Sequence, residues 1–353
     1  MTWKTACLTG VLMFGTAGAL AQGVPTPPPA IPLYVPITMH PGGDDTVKAL
    51  LNVGIGTMGS FTITLDTGSV GLRFFDPTTD DLSGNGVTCD PTKPTSVTYG
   101  NPARVTYTGD TCYAQITMGG VATPVAIPFA LLKTMTVCTL SSGCKTPQQN
   151  YADGNYGVFG AGIAPGDEIP NPLRTLAGDY GKRFMLRLNA DVSVPSYLVL
   201  APAWNFNAAI FPQGEETIGA LGIKNYVPGY ACVTWLQGME TVCPQVTFDT
   251  GNGVPWFHVA IPNLPTVTGG VDGTTVYVAP GVTLTLAPRV GAAAAITLQA
   301  GSTFLTEFRY EDQQENLANM AIQAFLGNDV LYDGDQGVIT IAPSPIAAAN
   351  ATQ

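Results

Sequence analysis

The tripeptide Asp-Thr-Gly occurs twice, as Asp66-Thr67-Gly68 in FTITLDTGSVGL and as Asp249-Thr250-Gly251 in QVTFDTGNG. Asp, Thr and Gly are ordinary turn residues, so one copy is weak evidence. Two copies, each after an apolar strand-like run and about half the chain apart, predict one device built by two halves: a pair of facing carboxylates. Like charges that close cannot both ionise cheaply, so the pair keeps one proton over a wide acidic range. The ionised member can take a proton from water while the protonated member hydrogen-bonds a substrate carbonyl. That is general acid–base hydrolysis without a covalent intermediate, and its apparent pKa values belong to the pair. Asp66 and Asp249 are therefore the candidate catalytic residues. Gly after each Asp lets the backbone turn sharply and lets a partner approach closely.

Other mechanisms have little to work with. The chain has no G-x-S-x-G and no H-E-x-x-H, and His40 and His258 lack a recognisable nucleophile motif. His258 reads as a structural or surface residue. Asp333-Gly334-Asp335-Gln336-Gly337 starts like a calcium loop but lacks the remaining ligand spacing, so it reads as a polar hairpin turn. Gly157, Gly160 and Gly162 read as close packing rather than a phosphate site. No cofactor and no metal are expected.

The elements that must position the two carboxylates are strands. Charged residues are 11% and apolar residues 45% of the 353, with 41 Gly and 29 Pro, a composition that suits many short strands joined by Gly/Pro turns. The predicted class is all-β, in two lobes. VKALLNVGIGTMGSFTITLD reads as two strands and a tight turn, and VTYGNPARVTYT (97–108) as a hairpin turning at Gly100-Asn101-Pro102. NPLRTLAGDYG (171–181) reads as a short helix capped by Asn171. TTVYVAPGVTLTLAP (274–288) and VLYDGDQGVITIAP (330–343) read as hairpins, and ENLANMAIQAFLG (315–327) has helical apolar spacing with an end that could equally be a strand. The expected organisation is a signal peptide over 1–21, a Pro-rich extended lead over 22–46, an N-terminal lobe over 47–203, a C-terminal lobe over 204–343 and a flexible tail over 344–353.

The signal reading rests on Lys4, an apolar run from Ala6 to Leu20 and an Ala19-Leu20-Ala21 cleavage site. Six cysteines remain beyond it: Cys89, Cys112, Cys138, Cys144, Cys232 and Cys243. An even count in an exported chain reads as disulfides, with fifteen possible pairings. A turn at Gln237-Gly238 would place Cys232 opposite Cys243, the same arithmetic around Gly100-Asn101 would place Cys89 near Cys112, and Cys138 and Cys144 are left over. The net charge of −11 argues against nucleic acid and anionic membranes as partners, and no later segment is long and apolar enough to span a bilayer.

These residues resemble the pepsin-like aspartic peptidases. VGIGTMGSFTITLDTGS is similar to the family's first strand block and first active-site loop, VTFDTGN to its second loop, VTYG to its flap, and VLYDGDQGVITIAP to its closing hairpin. Val158-Phe159-Gly160 and Phe325-Leu326-Gly327 resemble the two hydrophobic-hydrophobic-Gly elements behind the Asp loops. The resemblance implies a two-lobed fold with a cleft between lobes, and Asp66 and Asp249 as the dyad. Thr67 and Thr250 would brace the loops across the interface, and Gly68 and Gly251 would line the cleft. Ser69 would hydrogen-bond its loop's carboxylate, and Tyr99 and Gly100 would cover substrate. The polypeptide substrate would carry bulky apolar residues at the cut, and Cys232–Cys243 would correspond loosely to the disulfide region before the second Asp.

Two departures stand out. Asn252 follows the second Gly where the family usually has Ser or Thr, and its amide can still donate a hydrogen bond. Arg73 stands where the family's animal members usually carry Trp, which supports the flap Tyr; either the flap is held differently, or Arg73 adds positive charge near the cleft, or it snorkels to solvent. Residues 22–46 hold no Lys or Arg, so no basic inhibitory prosegment is expected. The reading is a bacterial acid endopeptidase, exported to periplasm or medium and acting as a monomer. The alternative is a fold of this type that binds proteins or glycans without cutting.

Overall fold

The computed structural model describes residues 31–345 apart from 42–46, 76–81, 101–103, 140–142, 145–154, 204–207, 236–239, 270–274, 290–294, 302–307 and 312–314. The predicted signal peptide and the tail beyond Pro345 lie outside the described residues.

Strand alternation decides which way the two aspartates face. In Ser60–Asp66 (β1), Phe61, Ile63 and Leu65 are buried, while Thr62 and Thr64 stand on the opposite face. Asp66 shares the parity of Thr64, so the period of two carries it to that face at the strand's tip. The second copy does the same: Val246 and Phe248 are buried and Thr247 and Asp249 alternate with them.

After β1 come Val70–Phe74 (β2), Thr88–Tyr99 (β3), Arg104–Ala114 (β4), Ile127–Thr139 (β5) and Gly157–Ala161 (β6). Their order in the sheet is β1-β6-β2-β5-β4-β3. The second half repeats it with Gln245–Thr247 (β7), Trp256–His258 (β8), Thr266–Gly269 (β9), Thr275–Val278 (β10), Arg309–Glu311 (β11) and Leu317–Asn319 (β12), ordered β7-β12-β8-β11-β10-β9. Directions repeat too. β6 runs parallel to β1 and antiparallel to β2, β2 parallel to β5, and β5-β4-β3 antiparallel. The same pattern holds for β12 with β7 and β8, β8 with β11, and β11-β10-β9. Each copy thus threads its last strand between the two strands that flank its Asp turn.

The two copies share a base. Arg183–Arg187 from the first half pairs antiparallel with Asn328–Asp333 from the second, and the Arg187 guanidinium donates two hydrogen bonds, of 2.8 and 2.6 Å, to the buried Asp329 carboxylate across that seam. One continuous apolar cluster runs from Leu65, Leu72 and Phe159 to Phe248, Phe257 and Ala318. The all-β class is as expected; the sheets are open rather than closed into a barrel, and helical structure among the described residues is limited to short turns such as Pro172–Thr175 and Ile322–Ala324.

Several expectations need correction. The folded body begins by Leu33, not Val47: Leu33–Pro41 pairs with both Ser196–Leu200 and Val47–Ile55. Its alternating Val35, Ile37 and Met39 are buried, and that burial outweighs the Pro content. The tail's first residue, Ser344, is buried, and its N–H donates to Gly327 O at 2.9 Å. TTVYVAPGVTLTLAP is not a hairpin: β10 stays in the β7–β12 sheet, while Thr283–Pro288 pairs with Ala231–Trp235 and Ile296–Gln299 in another. NPLRTLAGDYG forms two 3-10 turns rather than one helix, with Asn171 capping the first as expected. ENLANMAIQAFLG is not the expected helix, and its strand lies at the start rather than the end: Leu317–Asn319 is β12, and a single 3-10 turn, Ile322–Ala324, follows.

All three disulfides form: Cys89–Cys112, Cys138–Cys144 and Cys232–Cys243. The first pairing meets the arithmetic by cancellation. Near the hairpin tip Tyr99 faces Val105, a register centred past Gly100-Asn101, and an irregularity between Asp90 and Pro94 shifts it back so that Cys89 faces Cys112.

Candidate active site

The two Asp-Thr-Gly turns meet through reciprocal hydrogen bonds. Thr67 N–H donates to Thr250 Oγ1 at 3.1 Å and Thr250 N–H to Thr67 Oγ1 at 3.0 Å. Each hydroxyl then donates onward to the residue before the other copy's Asp, Thr67 Oγ1 to Phe248 O at 2.9 Å and Thr250 Oγ1 to Leu65 O at 2.7 Å. Both threonines are buried, where satisfied hydrogen bonds specify geometry strongly. Tyr332, from the shared base, adds a bond from its hydroxyl to Phe248 O at 2.9 Å. The predicted brace is present.

Each glycine makes room for the opposite carboxylate. A Cβ on Gly68 would lie 2.3 Å from Asp249 Cγ, and one on Gly251 would lie 2.5 Å from Asp66 Cγ and 3.1 Å from Asp249 Oδ1. The carboxyl groups therefore converge on one small volume. Within each turn the glycine N–H donates to its own Asp Oδ1 at 2.8 Å.

The two carboxylates are held differently. Ser69 Oγ donates to Asp66 Oδ2 at 2.5 Å, as predicted. Asn252 does not play the matching part: its Oδ1 accepts from Val254 N–H at 3.3 Å. The donor to Asp249 is Asn319 at the end of β12, whose Nδ2 reaches Asp249 Oδ2 at 2.7 Å. Asn319 Oδ1 accepts from Ala321 N–H at 2.8 Å, which fixes the amide's orientation and turns its N–H toward Asp249. The β7–β12 register explains the choice. Thr247 faces Asn319, so Asn319-Met320-Ala321 passes behind the second Asp as Val158-Phe159-Gly160 passes behind the first, where Gly160 faces Asp66. Phe325-Leu326-Gly327, predicted for this place, lies beyond it, with Leu326 bridging Leu188 at the base. The only signal for Asn319 was strand register, which a local motif does not carry.

Burial separates the pair as well. Asp66 is buried and Asp249 half-buried. Burial, then the negative charge of Asp249, push the Asp66 carboxyl well above its ordinary 3.8, against the pull of the Ser69 and Gly68 hydrogen bonds.

A cleft of about 510 Å³ opens over the pair. Asp66, Gly68, Ser69, Tyr99, Gly100, Asp249, Gly251 and Asn252 all line it, joined by Lys48, Trp256 and Arg309, which the sequence reading did not select. Tyr99 closes the β3 side, its ring edge-on to Tyr107 at 5.8 Å, and burial pushes its hydroxyl up to about 12, so it stays protonated through the acid and neutral range. Gly100, at φ +83°, starts the hairpin tip; residues 101–103 lie outside the described set. Arg73 neither snorkels nor lines the cleft: it is buried and its Nη2 donates to Asp167 Oδ2 at 2.6 Å. Its charge works against the upward push on Tyr99. His258 is structural, buried, with Nδ1 3.2 Å from Glu315 Oε2 and its ring against Trp256. Asp333 Oδ1 accepts from the N–H groups of Asp335 and Gln336, the geometry of a polar turn.

No family model and no curated protein matches the chain.

Proposed function

We propose that this chain is a pepsin-like aspartic endopeptidase that hydrolyses peptide bonds at acidic pH. The observation that carries the reading is the pair of Asp-Thr-Gly turns locked by reciprocal threonine bonds, with each glycine vacated for the opposite carboxylate. With one proton shared, the ionised carboxylate takes a proton from water as the water oxygen bonds to the scissile carbonyl carbon. The other carboxyl gives its proton to the carbonyl oxygen. As the C–N bond of the resulting diol breaks, one diol hydroxyl gives its proton to the carboxylate ionised in the first step and the departing nitrogen takes the proton of the other carboxyl, which returns the dyad to one shared proton. Tyr99 and Gly100 lie over the cleft where an extended peptide would be covered. The features that favoured a non-cutting binding module lose their weight, since Asn319 supplies the support expected of Asn252 and Arg73 is paired with Asp167 outside the cleft.

Disulfides belong to oxidising compartments, and among the described residues no helix is long and apolar enough to cross a membrane. These support export to periplasm or medium. The test is digestion of an unfolded protein between about pH 3 and 5, with and without pepstatin. Cleavage that pepstatin blocks, and that Asp66→Asn and Asp249→Asn each abolish, is the expected result. Cleavage that survives either substitution overturns the dyad.

A further inference from the structure

Beneath the dyad lies a buried tyrosine whose hydroxyl the packing does not need. Tyr332 belongs to Asn328–Asp333, the second half's strand in the shared base. Val330 and Tyr332 join the main apolar core, while Leu331 belongs to a separate cluster on the strand's other face. Tyr332 is 1% exposed. It faces Phe184 across the seam, and the two rings stack with centroids 4.9 Å apart and planes 5° from parallel. Phenylalanine would stack there equally well and would spare the cost of stripping water from a hydroxyl. What the hydroxyl adds is the bond it donates to Phe248 O at 2.9 Å.

Phe248 is the residue before Asp249. Its carbonyl carbon and oxygen share one rigid plane with the nitrogen and Cα of Asp249. A bond that holds Phe248 O therefore also holds the backbone from which the second carboxyl hangs. Thr67 Oγ1 donates to the same oxygen at 2.9 Å, so this carbonyl takes one hydroxyl from the opposite turn and one from the base. The matching point of the first turn is held more lightly. Among the described residues, Leu65 O receives a side-chain hydrogen bond only from Thr250 Oγ1, at 2.7 Å. The extra tie falls on the turn without a side-chain donor of its own, since Ser69 serves Asp66 while Asn252 is turned to Val254 N–H. Burial pushes the Tyr332 hydroxyl well above its ordinary 10.0, so it stays a donor through the acid and neutral range. The carboxylates that bear on it are those of Asp249 and Asp66.

We propose that Tyr332 is a positioning residue: its hydroxyl, carried on a ring stacked against the first half, fixes the separation of the two carboxyl groups by holding the Phe248–Asp249 peptide. Its effect on rate rests on the peptidase reading of the cleft; its effect on the pair does not. Like charges held close titrate with widely spaced apparent pKa values, and the spacing shrinks as they move apart. Released from the base, the Asp249 turn yields to that repulsion and the carboxyl groups separate.

The test compares the wild type with Tyr332→Phe, which keeps the stacked ring and removes one oxygen. In protein whose aspartates carry carbon-13 at Cγ, the carboxyl resonances are followed by NMR over about pH 2 to 8, and Asp66→Asn and Asp249→Asn identify the two that belong to the pair. The two apparent pKa values lie closer together in Tyr332→Phe than in the wild type. For a peptide cut at one bond, kcat falls about five-fold, the effect of one net hydrogen bond, while KM stays within about two-fold. Melting curves place both measurements well below each variant's transition. A hydroxyl that served stability alone would lower the melting temperature and leave the spacing and kcat as they are. Unchanged spacing, or unchanged kcat in a wild type that cuts, overturns the inference while leaving the dyad intact. If the wild type cuts nothing yet the spacing narrows in Tyr332→Phe, the peptidase reading fails and the positioning role stands. Unchanged spacing in a protein that does not cut overturns both.

Discussion

Asn319 gives the sharpest test of how the second carboxylate is held. Its bond to Asp249 is short, 2.7 Å, and runs from an amide to a half-buried carboxylate, the charge-assisted kind worth about 1.5–3 kcal/mol. At about 1.4 kcal/mol per decade of rate, Asn319→Leu should lower kcat/KM by about 10- to 150-fold. The same side chain also holds Ala321 N–H, at a residue with φ +48° and ψ −166°, a strained setting for a residue with a Cβ. The leucine variant therefore loses stability too, and activity must be compared well below its melting temperature. Asn319→Asp separates the roles: it keeps an acceptor for Ala321 but can donate to Asp249 only when protonated. Its activity should be low at about pH 5 and recover as pH falls toward the ordinary carboxyl range near 4, while wild type shows no such recovery. Asn252→Ala removes only a 3.3 Å turn bond and should stay within about five-fold. Peptide hydrolysis across pH, with melting curves for each variant, decides the matter. If a folded Asn319→Leu keeps nearly full activity while Asn252→Ala loses more than ten-fold, the register argument is wrong.

Two further outcomes follow from the same geometry. Asp66 is buried with its carboxyl held above the ordinary 3.8, so the folded state binds that proton more tightly than the unfolded chain. The resulting stability is complete below 3.8 and drains away as pH rises through the raised value. Asp66→Asn should thus match the wild type's melting temperature at about pH 3 and exceed it by at least about 2 °C at pH 7; a gain that is the same at both pH values contradicts the burial account. Gly251→Ala places a Cβ 2.5 Å from Asp66 Cγ, and displacing one carboxyl by about 1 Å costs on the order of 100-fold in rate; steady-state kinetics within ten-fold of wild type would show that the turns tolerate separation.

The strands that carry the aspartates were legible because β1 and the run into Asp249 alternate cleanly, and alternation fixes which face a side chain occupies. The braces Thr67 and Thr250 were legible because they sit within the motif itself. Asn319, Lys48 and Arg309 were not. Each reaches the cleft through the register of a strand far away in sequence, and register depends on pairings that no local window contains. The same limit explains TTVYVAPGVTLTLAP, where two strands with a turn between them belong to different sheets. It also explains the misplaced Phe325-Leu326-Gly327: its composition fits the pattern, yet the parallel ladder puts Asn319-Met320-Ala321 behind Asp249.

The repeat of strand order makes the two turns near-equivalents, but the proposed chemistry needs them to differ, since one carboxyl must be an acid while the other is a base. The differences lie just outside the motif. Asp66 is buried and takes its side-chain hydrogen bond from Ser69 in its own turn. Asp249 is more open and takes its bond from Asn319 on a different strand. Seven residues past each Asp, the first copy has Arg73, turned away and neutralised by Asp167, and the second has Trp256, lining the cleft. Burial biases the shared proton toward Asp66, because the charged form is costlier there. In the proposed chemistry this favours Asp66 as the acid of the pair. Swapping the surroundings rather than the aspartates is what would reverse these roles, so the division of labour belongs to the neighbouring strands and not to the doubled tripeptide.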